Sequence, residues 1–215
     1  MHKAYLFDLD GTLVDTAPDL HNSLNHVLAK IDQGPVTLNL ARHWVGHGAR
    51  AMITNALVDV GVNGASEETL DRLHEVFIDH YSNHIADLSR PLHDAEALLQ
   101  RLTAESIPVG VVTNKRYDLS YDLLKTLDLY RYVGVLVGGD TLQVQKPMAE
   151  PVLYACNELD IDPRHTLFVG DSITDVRCAR AAGCQVAVVR DGYNQGVPAE
   201  SLGADRVFDS FLDLI

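Results

Sequence analysis

Residues 5–16, YLFDLDGTLVDT, run from an apolar segment into two carboxylates one residue apart and then into a glycine turn. Side chains two apart on a strand point to the same side, so Asp8 and Asp10 would repel each other within an ordinary strand. The stretch therefore predicts a buried strand ending at Asp8, with something brought to that end to neutralise the pair.

Three further apolar segments end in the same manner. IPVGVVTN (107–114) ends at Thr113 and Asn114, VGVLVGGD (133–140) at Asp140, and TLFVGDS (166–172) at Asp171. Continuous apolar and β-branched runs suit strands buried on both faces of a parallel sheet. Helical patterns follow them: DLSYDLLKTLDL, AEPVLYACNEL and ITDVRCARAAG, the last closed by Gly183 as a C-terminal cap. Strand and helix alternating in this way predict right-handed βαβ units in an α/β fold, a doubly wound parallel sheet that binds ligands outside the carboxyl ends of its strands. Asp8, Thr113 and Asp171 fall at those ends although they are distant in sequence, so they are expected to share one site.

Residues 16–86 break this rhythm and read as helices, with APDLHNSLNHVLAKI, ARAMITNALVDV and SEETLDRLHEVFIDHYSNHI as the candidates. The expected organisation is a core domain of residues 1–15 and 87–215 with an inserted all-helical cap subdomain of residues 16–86, placed to serve as a lid.

Composition narrows the function classes. The 215 residues are 47% hydrophobic with a formal net charge of −13, which argues against nucleic acid, whose backbone demands a basic face. A small anionic substrate would have to be captured by local positive charge. The chain enters its first strand almost at once and holds no apolar run near the ~20 residues of a membrane span, so no membrane segment is expected and the location expected is cytoplasmic. Cys156, Cys178 and Cys184 lack metal-ligand spacing and read as buried reduced thiols. His43 with His47, and His80 with His84, are four apart, but neither pair has an evident third ligand, which favours solvated or core-edge positions. A hard divalent cation would let Asp8 and Asp10 coexist; Mg²⁺ takes oxygen ligands, and Asp171 supplies a further carboxylate.

With FDLDGTLVDT first, VVTN second, Lys146 in QKP third and GDSITD fourth, in that order along essentially the whole chain, the sequence resembles the haloacid dehalogenase superfamily. The resemblance implies a Rossmann-type core, an Asp8 nucleophile that attacks a phosphoryl group to form an aspartyl phosphate, and an Asp10 that acts as acid and then as base. It implies Mg²⁺ held by Asp8, Asp171 and the backbone carbonyl of Asp10. Thr113 and Asn114 either offer a hydroxyl and backbone N–H groups to phosphoryl oxygens or simply close a turn. Lys146 is a fixed charge suited to offsetting Asp8 and the phosphate. Asp175, one turn into the next helix, either holds Lys146 or a metal-bound water, or is an acidic residue favoured in a first turn.

More narrowly, LFDLDGTLVDTAPDL, WVGHGARAMITNAL, GVVTNK, VGGDTL, VGDSITDVRCARAAG and DGYNQGVPAESLGADRVFDSF are similar to bacterial phosphoglycolate phosphatases. That resemblance implies a small phosphorylated metabolite as substrate, 2-phosphoglycolate first. Such a substrate carries two anionic groups; Arg50 is the cap residue suited to the second, or else it lies on a solvated helix face. Two positions depart from the pattern. His93 and Asp94 replace the Pro-Gly usual before the helix in RPLHDAEALL, where Asp94 is expected to cap the helix, and Ala149 stands where proline is common. Hydrolysis of another sugar or nucleotide phosphate or of pyrophosphate, a phosphosugar mutase and, from a different class, a non-catalytic metabolite-binding module are the alternatives. Monomer and homodimer both stand open.

Overall fold

The computed structural model describes residues 2–215. Along the chain, β1 (Ala4–Phe7) and β2 (Val14–Asp15) precede α1 (Ala17–Ala29), α2 (Leu38–Arg42), α3 (Ala49–Asp59) and α4 (Glu67–Asn83). There follow β3 (Arg90–Pro91), α5 (Ala95–Ala104), β4 (Val109–Val112), α6 (Tyr117–Thr126), β5 (Val135–Val137), α7 (Glu150–Glu158), β6 (Thr166–Gly170), α8 (Ile173–Ala182), β7 (Gln185–Val189) and β8 (Arg206–Phe208). Two compact units result: the chain up to Asp15 together with Arg90–Ile215, and the inserted segment Thr16–Ser89.

The first unit is built on a six-stranded sheet in the order β5-β4-β1-β6-β7-β8, with every pairing parallel. β1, β4 and β6 are buried along their whole length, which is why their sequences are continuous apolar runs rather than alternating ones. The first strand in sequence lies in the middle of the sheet. The chain builds outward from it through β4 and β5, then returns to its other side with β6 and builds outward again. Strand order thus reverses between β1 and β6, and the crevice beyond their carboxyl ends is where this topology binds ligands. Asp8 is the residue after β1 and Asp171 the residue after β6.

β7 and β8 extend the sheet beyond the four strands read from the sequence. β7 is apolar like the others but runs into Arg190 rather than a carboxylate or hydroxyl, and β8 is a three-residue edge strand that opens on exposed Arg206. Gly183 closes α8 in the left-handed region at φ 83°, as expected. Asp94 does not cap α5. It stands at the N-cap position without accepting a backbone N–H, because its backbone is not extended, and its carboxylate instead accepts the Ser210 hydroxyl at 2.7 Å.

The second unit is helical. α4 buries Leu70, Leu73, Phe77 and Tyr81, an apolar stripe at helical spacing, and Ser66 caps it by accepting the Thr69 N–H. α1 contributes Leu20, Leu24, Val27 and Leu28. Buried Asp19 on α1 accepts the Leu88 and Ser89 N–H groups and the Ser89 hydroxyl, which ties the end of this segment to its start. His80 lies between His26 and His84 with ring centroids 4.2 and 4.5 Å apart. Among the described residues no histidine belongs to a group of three that could hold a metal, and no helix is long and apolar enough to cross a membrane. The three cysteines are free and buried.

Candidate active site

Asp8 continues the ladder of β1, its N–H donating to the Val169 carbonyl at 2.9 Å. The chain then turns tightly, with the Leu9 carbonyl accepting the N–H groups of Thr12 and Val14. Gly11 takes φ +79°, and a Cβ on it would stand 2.5 Å from Asp171 Oδ2 and 2.6 Å from the Tyr193 ring. Asp171 is gripped from the same side: Oδ2 accepts the Tyr193 N–H at 2.5 Å and Oδ1 the Thr12 hydroxyl at 3.3 Å. Backbone strain and steric conflict therefore coincide at Gly11. Gly11→Ala is expected to cost about 2 kcal/mol or more of stability by urea denaturation, and to displace Asp171.

Lys146 comes from the loop ahead of α7. Its buried ammonium lies 2.8 Å from Asp8 Oδ1 and 2.6 Å from Asp175 Oδ1. The Leu9 N–H donates to the same Asp8 oxygen at 2.7 Å, so two donors converge on Oδ1. Asp175 serves in two ways at once. Oδ1 holds Lys146, while Oδ2 accepts the Ser172 hydroxyl at 2.6 Å and the Ser172 N–H at 3.1 Å, completing a reciprocal cap on α8. Its helix-start position and its contact with Lys146 are two sides of one arrangement.

Asp10 points elsewhere: its Oδ1 accepts the Lys115 ammonium at 2.9 Å, and both side chains are nearly buried. Thr113 accepts the Lys115 N–H through its hydroxyl at 3.2 Å, and its own N–H donates to Val137. Asn114 donates its amide to the Lys146 carbonyl at 3.1 Å and so fixes the loop that carries the ammonium. In the second unit Arg50 is bonded to Glu67 at 2.5 Å and to Asp71, so its charge is already answered by two carboxylates.

The carboxylates of Asp8, Asp171 and Asp175 offer oxygens all within 4.8 Å of one another. One ammonium, Lys146, faces these three acids, while Asp10 has Lys115. Burial pushes the Asp8 carboxyl up to about 7, against the pull of Lys146 and with the push of Asp175. Burial, Asp175 and Asp8 push Asp171 well above the usual carboxylate range. Burial would raise Asp175 as well, but the Lys146 charge and its hydrogen bond hold it below its ordinary value. Burial would lower Lys146, yet Asp175 and Asp8 outweigh it and keep the ammonium charged. Since Asp175 is saturated by donors, Asp8 and Asp171 are the acids with uncompensated charge. An all-oxygen donor set with surplus negative charge fits a hard divalent cation such as Mg²⁺.

Lys115, Thr12 and Tyr193 were not singled out from the sequence. Lys115 directly follows VVTN, the one signal available for it. Tyr193 acts on Asp171 through a backbone N–H, which has no residue signature.

The family model described as haloacid dehalogenase-like hydrolase matches residues 5–189. A phosphoglycolate phosphatase of Agrobacterium fabrum is 40% identical, covering 97% of this chain and 89% of its own length. An N-acetylmuramic acid 6-phosphate phosphatase of Pseudomonas aeruginosa is 39% identical over 99% of this chain and 93% of its own. The crystal structure of a predicted phosphoglycolate phosphatase from Haemophilus somnus superposes with a TM-score of 0.93 at 30% identity, covering 99% of this chain and 96% of that one.

Proposed function

The chain belongs to the haloacid dehalogenase-like hydrolase family, and we propose that, as a phosphatase of small phosphate esters, it hydrolyses 2-phosphoglycolate to glycolate and phosphate through an aspartyl phosphate on Asp8. The observation that carries the chemistry is a buried carboxylate at the crevice between β1 and β6, held by Lys146 at 2.8 Å, with a second acid two residues on.

In this reading Asp8 attacks phosphorus through its carboxylate and the bond to the leaving oxygen breaks. Lys146 holds the Asp8 carboxylate in one orientation and offsets the charge that gathers as carboxylate meets phosphate. Asp10 gives its proton to the leaving alkoxide, then takes one from the water that attacks phosphorus and frees Asp8. Thr113, at the end of β4, presents its hydroxyl to the phosphoryl oxygens, and Asn114 acts by placing Lys146. Mg²⁺, for which Asp8, Asp171 and the Asp10 carbonyl are the proposed ligands, supplies electrostatic screening between nucleophile and phosphate. Asp175 keeps Lys146 and the start of α8 in place.

Two relatives of nearly equal identity act on different esters by name, so the substrate is tested by competition. Phosphate release is measured from 2-phosphoglycolate, N-acetylmuramic acid 6-phosphate, sugar phosphates, nucleotides and pyrophosphate, with Mg²⁺ and then with EDTA. The expected result is a Mg²⁺-dependent specificity constant highest for 2-phosphoglycolate. Highest activity on the muramic acid ester would move the substrate to that second reading and leave the Asp8 chemistry intact.

A further inference from the structure

Tyr193 lies in the loop after β7, four residues past Val189, and is buried. It meets the site at three points. Its N–H donates to Asp171 Oδ2 at 2.5 Å, its hydroxyl donates to Asp15 Oδ1 on β2, and its ring lies against Gly11, where a Cβ would stand 2.6 Å from it. Gly192 packs as closely: a Cβ there would stand 2.1 Å from the Cβ of Asp171 and 2.9 Å from the Gly11 carbonyl oxygen. The N–H that holds Asp171 is a backbone group, but its position is set by a side chain pinned at its far end to Asp15.

We propose that Tyr193 is a positioning residue for the divalent cation: its side chain holds Asp171, after β6, in register with the turn after β1 that presents the Asp10 carbonyl. The inference rests on the reading of Asp8, Asp171 and the Asp10 carbonyl as the Mg²⁺ ligands. These groups come from two strand ends far apart in sequence, so the distance between two loops decides whether they converge. The turn from Asp10 to Asp15 is one tight piece, since Asp10 bridges to Val14 and the Gly11 N–H donates to the Val14 carbonyl at 2.9 Å. A ring resting on Gly11 and a hydroxyl bonded to Asp15 grip that piece at two points, while the N–H grips Asp171. The Thr12 hydroxyl also reaches Asp171, by a longer bond of 3.3 Å. Hydroxyl to carboxylate is a charge-assisted bond and the stronger kind of pin. Mg²⁺ demands near-ideal ligand placement, so a cation shared between two loops is sensitive to drift between them.

The test is calorimetric titration of the substrate-free protein with Mg²⁺. Tyr193→Phe keeps the ring and the N–H and loses the bond to Asp15; it is expected to bind Mg²⁺ roughly 10-fold more weakly. In turnover the loss appears as a higher Mg²⁺ requirement, with kcat at saturating Mg²⁺ and KM for the ester close to those of the wild type. Asp15→Leu breaks the same bond from its other end, and Asp15→Asn, which keeps an oxygen for the hydroxyl, retains most of the affinity. The double variant Tyr193→Phe with Asp15→Leu is expected to bind Mg²⁺ no more weakly than Asp15→Leu alone, because both changes remove one interaction. A purely structural role would lower the melting temperature in EDTA and leave Mg²⁺ affinity unchanged in Tyr193→Phe, which would overturn the proposal. Asp171→Asn separates the two levels of the argument. Loss of Mg²⁺ binding in that variant with Tyr193→Phe unaffected overturns the proposal alone; undiminished binding in Asp171→Asn overturns the ligand reading and the proposal together.

Discussion

Asp8→Asn is expected to lose turnover by roughly 10⁴-fold or more while the metal-free protein becomes no less stable. The first half follows from chemistry: an amide cannot act as the nucleophile, and no described carboxylate shares the position of Asp8 after β1. The second half follows from burial. The Asp8 carboxyl is pushed from its ordinary 3.8 to about 7, so the folded protein holds this proton more tightly than the unfolded chain. Stability drawn from Asp8 therefore falls as pH rises from about 4 to about 7. Asparagine stays neutral and still offers an oxygen to Lys146. Melting in EDTA should show the variant gaining on the wild type between pH 5 and pH 7.5. Undiminished turnover would remove Asp8 from the mechanism, and a large loss of stability at pH 7.5 would contradict the charge surplus.

Lys146→Met is expected to act in the opposite sense on stability. It withdraws the ammonium and leaves Asp8, Asp171 and Asp175 facing one another with oxygens inside 4.8 Å. Breaking a buried pair in this way costs about 3 kcal/mol or more, and turnover should fall roughly 10³-fold. The stability cost depends on pH through the acids. Lys146 itself is held above its ordinary value, so it remains charged across pH 5 to 8. Asp175 is held below its ordinary value despite burial, chiefly by Lys146; this contribution is present above the unfolded value and is lost as pH falls through the folded one. The wild type should exceed the variant most at pH 8; the gap narrows toward pH 4 because Asp8, pushed up to about 7, protonates in that range and no longer needs the ammonium, while the Asp175 part persists until pH falls below the ordinary carboxylate value of 3.8. Urea denaturation at the two ends of that range measures it. A gap that widens on acidification would contradict the arrangement of charges around Lys146.

The meeting of Asp8 and Asp171 was legible because buried parallel strands leave a plain trace, an apolar run that stops at a carboxylate, whereas Lys146 in QKP and Asp175 in GDSITD were legible only through the resemblance of those motifs to the family's. Strand order explains why two such ends meet, since β1 and β6 are neighbours at the reversal of the sheet. The pairing of Lys115 with Asp10 left no comparable trace. It depends on the register that sets Phe7 beside Val111, and on a turn that aims the ammonium across two loops, neither of which spacing along the chain encodes. The hold of Tyr193 on Asp171 is a backbone bond that any residue other than proline could make. Asp94 shows the converse: the residue type suited a cap, but His93 before it lies at φ 37° and the chain enters α5 from a direction that leaves the carboxylate for Ser210. Arg50 read equally well as a substrate arm or a surface residue, and its two carboxylate partners lie on α4, seventeen and twenty-one positions further along.

The most direct measurement of the central claim is a rapid-quench single turnover with ³²P-labelled 2-phosphoglycolate and Mg²⁺, followed by borohydride reduction and peptide mapping. Transient label on the peptide that contains Asp8, with reduction converting that aspartate to homoserine, is the predicted result. Phosphate released at the full rate with no label on Asp8 at any time would contradict it.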